Sequence, residues 1–213
     1  MLTRAERPGL GRRADLMDFT AMDAILDALT DAVMEGDDAA IAAFFATHDA
    51  DPCTVVWSPE ARVIGEPALE FLLQFWHAHR YPDGLLPRSA IDPIRLRPAL
   101  GFIMLLDVID GGADFRYSLY GSLIAERTGF DWTGRRLSDM IARSFTGIFY
   151  AAVYRAVMRR RLPIYTKSWS PSHVAATGWS RLVLPVGPQG GDEAGSVGRF
   201  LVGNVPGAWR PPA

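Results

Sequence analysis

Only one cysteine, Cys53, occurs in the 213 residues, so neither an internal disulfide nor a paired-cysteine metal or redox motif can form. That usage fits a reducing cytoplasm. Lysine is equally scarce: Lys167 is the only one, and the rest of the 22 basic residues are arginines. Against 24 acidic residues they leave a formal net charge of -2 and a pI near 6.1. No broad positive field is present, and a nucleic-acid partner is not expected. Long apolar stretches are missing as well. The longest unbroken run of large apolar residues, 102–106, is far below the roughly 20 residues that a membrane span needs. Near the start, Arg4, Arg7, Arg12 and Arg13 are followed by Asp15, Asp18 and Asp23 rather than by an apolar stretch of signal-peptide length. Secretion is therefore not expected, and the cytoplasm is the expected location.

The motifs of catalysis are also lacking. His77 and His79 stand two apart on one expected helix and point to different faces, so they cannot share a metal. His48 and His173 fall in loops without clustered cysteine or carboxylate partners, and no metal site is expected. No dinucleotide or Walker loop, nucleophile elbow or zinc spacing occurs, and the chain is not expected to be an enzyme. Gly190-Gly191-Asp192-Glu193 copies the front of the diguanylate cyclase signature. Such an enzyme needs a full domain with phosphate and metal ligands before that loop, and here those residues are spent elsewhere, so a hairpin turn is the better reading.

What is present is a folding sequence, 49% hydrophobic and 22% charged. Residues 1–14 are rich in Arg, Gly and Pro and are expected to be mobile. Met22, Ile25, Leu26, Leu29 and Val33 recur at helical spacing, with Asp23, Asp27 and Asp31 off that stripe. A second helix follows Asp37 or Asp38, with Ile41, Phe44 and Phe45 on its apolar face, and residues 54–57 look like a short strand. Pro67 suits the first turn of a helix to about His79, buried through Leu69, Leu72, Leu73 and Trp76. Residues 102–108 form an apolar strand, and Asp110-Gly111-Gly112 turns it into a second strand whose Phe115, Tyr117 and Leu119 alternate with polar residues. Gly121 ends that strand, Ser122 caps a short helix closed by Gly129, and Phe130 and Trp132 sit between Gly129 and Gly134. A long helix over 144–161 carries Phe145, Ile148, Phe149, Ala152 and Val153 on one stripe and stops before Pro163. Three further strands are expected at 164–170, 179–186 and 199–205.

Two strands, short helices, one long helix and three strands is an order that resembles a PAS domain. The crossover over 115–135, together with Leu86-Pro87-Arg88 and Asp92-Pro93 after a Trp-bearing helix, resembles more narrowly the PAS family common in alphaproteobacteria. The resemblance spans residues 71–205. It implies an α+β fold: a five-stranded antiparallel sheet with short helices and one long helix on one face, plus an N-terminal helical extension. The divisions are 1–65 for that extension, 66–100 for lead-in helices, 101–206 for the PAS-like core and 207–213 for a tail. Ser118 stands where the family often has Arg, which puts a charge-based role there in doubt, and Ser122 stands where it often has Thr.

The resemblance implies a sensory or regulatory module that binds a small molecule or a signalling protein and has no output domain of its own. The implied pocket residues are Tyr117, Leu119, Phe130, Trp132, Phe149 and Val153. Haem sensors of the family's best-known type need a His on the long helix, and LOV-type flavin receptors need a Cys in the domain; this sequence has neither, so no cofactor is expected. PAS domains often dimerise through an N-terminal helix, which makes Met22, Ile25, Leu26, Leu29 and Val33 a candidate homodimer interface. Two alternatives stand beside this reading. One is a ligand-free protein-interaction module with a filled core. The other is an NTF2-like, SnoaL-type small-molecule enzyme or binder, which residues 30–75 faintly resemble in spacing.

Overall fold

Alternation and capping produce most of the elements where the sequence places them. The computed structural model describes residues 19–141, 144–169, 178–189 and 195–208. Helices α1 (Phe19–Glu35) and α2 (Asp38–Ala46) lead into strand β1 (Thr54–Trp57). They are followed by α3 (Ala61–Ile64), α4 (Pro67–His79), β2 (Ile103–Ile109) and β3 (Asp114–Tyr120). Helices α5 (Ser122–Thr128), α6 (Leu137–Ile141) and α7 (Phe145–Arg160) then precede β4 (Ile164–Trp169), β5 (Gly178–Val186) and β6 (Arg199–Pro206). Asp37 caps α2 by accepting from the Ala40 amide at 3.0 Å, and Ser144 caps α7 by accepting from the Thr146 amide at 3.3 Å. Ser122 is not the cap of α5; Gly121 holds that position, and no side chain caps the helix. The loop carrying His173 and the Gly190–Glu193 motif lie outside the described residues, as do residues 1–18.

All pairings between the described strands are antiparallel, in the order β1-β4-β5-β6-β2-β3. The sheet therefore has six strands and not the expected five. The sixth is β1, whose Val55 and Val56 pair with Thr166 and Tyr165 of β4. An uncovered β4 would present a row of unpaired amides and carbonyls, and the short strand β1 pairs with that row and takes over as the edge. Helices α5–α7 are inserted after β3, the second strand of the remaining five. That insertion is the arrangement that separates this fold from the NTF2-like alternative.

Both faces of the sheet are covered, whereas the resemblance placed the helices on one. On β6, Phe200 and Val202 pack toward α7, α1 and α2, and Leu201 packs toward α4. Gly203 shows how closely α4 sits: a Cβ there would lie 2.4 Å from Leu69 Cδ2 and 2.6 Å from Leu72 Cδ1. Among the described residues, no helix is long and apolar enough to cross a membrane.

The stripe on α1 is covered by its own chain. Leu26, Leu29 and Val33 are buried in the core that contains α7, Met22 packs against that core, and Ile25 is 45% exposed. Arg155 pairs with Asp27 at 3.2 Å and Arg159 with Asp31 at 3.1 Å, while Trp57 Nε1 donates to the Val33 carbonyl at 2.8 Å. Three of the five residues of the stripe expected to form a homodimer interface are thus buried within the chain itself.

Candidate functional site

Where α7 begins, the helical layer stands off the sheet and leaves a cavity of about 270 Å³. Phe145, Phe149 and Tyr150 of α7, Tyr120 at the end of β3, and Thr128, Trp132 and Met140 of the crossover line it. The sheet contributes Ser168, Trp179, Arg181 and Asn204, and α2 contributes Phe45. The N-terminal extension is thus part of the wall. Phe45 meets Phe149 edge to face at 5.1 Å and Phe145 at 5.7 Å, and His48 stacks on Phe145 at 4.5 Å.

Among the described residues, Arg181 is the one charged side chain that lines this space. Period-two alternation on β5 turns Trp179, Arg181 and Val183 to the same side of the sheet. Arg181 is 5% exposed, and among the described residues it is the only buried charged residue. Its Nε donates to Asn204 Oδ1 at 3.1 Å, its Nη1 to the Tyr154 hydroxyl at 3.4 Å, and its guanidinium carbon lies 3.5 Å from the centre of the Tyr150 ring. No carboxylate pairs with it among the described residues. Burial works against its charge, but the surrounding tyrosines, Tyr150 and Tyr154 foremost, favour it and hold its pKa above the ordinary arginine value.

Burial keeps three of the neighbouring phenols protonated. Burial pushes the Tyr154 hydroxyl up to about 12 and the Tyr117 hydroxyl well above its ordinary value, and it raises Tyr120 as well. The Tyr117 hydroxyl is fully buried and has no hydrogen-bond partner among the described residues. It belongs to the ring cluster of the cavity wall, with centroids 5.6 Å from Tyr120 and 6.2 Å from Trp132.

Of the six residues expected to form a pocket, the structure places Trp132 and Phe149 on the cavity wall. Tyr117 lies just behind it, and Val153 is fully buried in the core further along α7. Phe130 is 67% exposed, because the left-handed turn at Gly129 (φ 76°) carries it outward. Leu119 lines a separate cleft with Leu105 and Leu100. The cause is a β-bulge: Leu105 pairs with Leu119 but Leu106 with Tyr117, so Ser118 is the extra residue and the alternation reverses after it. Tyr120 then faces the cavity in place of Leu119.

Sequence reasoning passed over Arg181, Asn204, Tyr120, Tyr150 and Phe45. The signal for Arg181 was an arginine in phase with Trp179 and Val183 on one face of an otherwise apolar strand. Cys53, buried beside β4, has its thiol pushed up to about 12 by burial, with Arg181 pulling the other way. Neither a cysteine nor a histidine lines the cavity among the described residues, and no group of three metal-ligating side chains forms there.

The sequence pattern of the PAS domain matches residues 64–200, well over half of the chain, and the chain belongs to that family. No curated protein and no solved structure matches it. The matched segment contains α4 through β5 and the first two residues of β6, hence every cavity wall among the described residues except Phe45 of α2 and Asn204 near the end of β6. It also contains Arg88, which resembles the family's lead-in motif. Arg88 and Arg199 both pair with Asp107, Arg199 at 2.7 Å, tying the lead-in segment to β2 and β6.

Proposed function

We propose that this chain is a sensory or regulatory module that binds a small molecule in the cavity between its sheet and α5–α7. The observation that carries this reading is the cavity itself, placed where a filled core would otherwise stand and equipped with one buried cation. At about 270 Å³ it sits near the lower end of small-molecule sites, which run from roughly 300 Å³ upward. An aromatic lining with a few convergent polar groups is the usual make-up of such a site.

Occupancy reaches the N-terminal helices directly, since Phe45 of α2 is both a cavity wall and a neighbour of Phe149. In this reading α2, and through it α1, carries the signal to another protein. The module works in the cytoplasm, performs no catalysis, and takes neither tethered haem nor photochemical flavin. Phe149→Ala tests the ligand site. A residue packed on all sides costs about 3–5 kcal/mol on such truncation. Phe149 borders open space, so chemical denaturation of the variant beside wild type is expected to give a smaller loss. A loss in the full range, with native mass spectra showing no bound molecule in either protein, overturns the reading.

A second reading, a protein-interaction module, is favoured by one feature. Leu100 and Leu119 are exposed at 46% and 40% and line a cleft of about 320 Å³ on the side of the sheet opposite the cavity.

A further inference from the structure

We infer that the cavity selects a small organic anion, a carboxylic acid whose carboxylate pairs with Arg181 and whose apolar body lies against Phe45, Phe149 and Trp132. The inference rests on the cavity being a ligand site and adds the chemical class of its occupant.

The argument starts from charge. An arginine keeps its proton at any physiological pH, and a buried charge without a counter-charge is costly. The rest of this molecule obeys that rule where arginines are half-buried. Arg88 and Arg199 share Asp107, and Arg155 reaches Asp27. Arg181 is more buried than any of them, yet its hydrogen-bond partners are a neutral amide and a neutral phenol. A guanidinium has five N–H donors, more than these two partners use, and its planar fork matches a carboxylate in two-point geometry. Burial holds the Tyr154, Tyr117 and Tyr120 phenols protonated, so these three supply no negative charge at neutral pH. No carboxylate among the described residues supplies the counter-charge, which leaves that place to a ligand.

Two further observations place it in the cavity. Arg181 and Asn204 both line that space, so an anion entering it meets the guanidinium directly. The buried Tyr117 hydroxyl, which makes no hydrogen bond of good geometry among the described residues, lies behind the same wall. The remaining wall is chiefly aromatic among the described residues, which suits an aromatic or short aliphatic body.

Isothermal titration calorimetry of the full chain with benzoate, phenylacetate and hexanoate, each beside its neutral amide at constant ionic strength, tests the assignment. At least one acid is expected to bind saturably, with its amide weaker by tenfold or more. Arg181→Met is expected to lose that binding by tenfold or more. Because removing a buried arginine can impair folding, Asn204→Asp serves as the second variant. It places a carboxylate where Oδ1 already lies 3.1 Å from Arg181 Nε. That internal partner is expected to raise the melting temperature of the empty protein and to abolish acid binding. Amides that bind as tightly as acids overturn the anion assignment while leaving the cavity a ligand site. Acid binding that survives in Asn204→Asp overturns it too. If none of the six compounds binds, the assignment fails, and native mass spectra then decide separately whether the cavity holds anything.

Discussion

At the scale of single residues, burial sets the chemistry on the cavity side of the sheet. Cys53 and Tyr154 are both driven from ordinary values of 9.0 and 10.0 to about 12, in each case chiefly by loss of solvent. The folded chain therefore keeps protons that the unfolded chain releases. Stability is unaffected below the unfolded pKa values and falls as pH rises from about 9 toward about 12, where the unfolded state binds fewer protons. Urea midpoints should drop between about pH 8 and about pH 11. An unchanged midpoint across that range would show that these groups are not buried as described. The same burial keeps the Cys53 thiol unreactive toward disulfide reagents near neutral pH until the chain unfolds. Arg181 was legible at this scale from its phase on β5. What made it significant, the absence of a carboxylate partner among the described residues, depends on contacts between β5, β6 and α7 that no local pattern encodes.

Elements were the most legible level. Helical spacing marked α1, α4 and α7, and glycine and proline marked their limits: Gly129 closes α5 in a left-handed turn, and Pro67 opens α4. Three features escaped because they are relations between elements. The bulge at Ser118 reverses the facing of Leu119 and Tyr120, β1 becomes an edge strand only by meeting β4, and the α1 stripe is satisfied by α7. Two glycines record how tightly the elements meet, and their alanine variants should differ. Gly121→Ala drives a Cβ to 2.3 Å from the Gly101 carbonyl oxygen, a backbone atom with little room to move. Gly203→Ala meets only the ends of Leu69 and Leu72, buried side chains for which overpacking costs roughly 1–3 kcal/mol. Chemical denaturation should rank Gly121→Ala as the more destabilising. Equal losses would mean that the β3–α5 junction relaxes as easily as a side chain.

For the whole molecule, the N-terminal extension and the PAS core form one structure. Strand β1 closes one edge of the sheet, and the crossover protects the other, where the Tyr117 amide donates to the Arg135 carbonyl at 3.0 Å and the Gly134 amide to the Tyr117 carbonyl at 2.7 Å. Helix α2 completes the cavity, so the sensory reading depends on a segment that the family pattern does not cover. The central claim is that this cavity holds a small molecule. Native mass spectrometry of freshly purified full-length protein, beside the same sample denatured, tests it most directly. The account predicts a folded species heavier than the polypeptide by the mass of one small ligand, the increment vanishing on denaturation and an organic acid appearing in the released fraction. A folded species at the bare polypeptide mass, unchanged after incubation with the three acids, would contradict it.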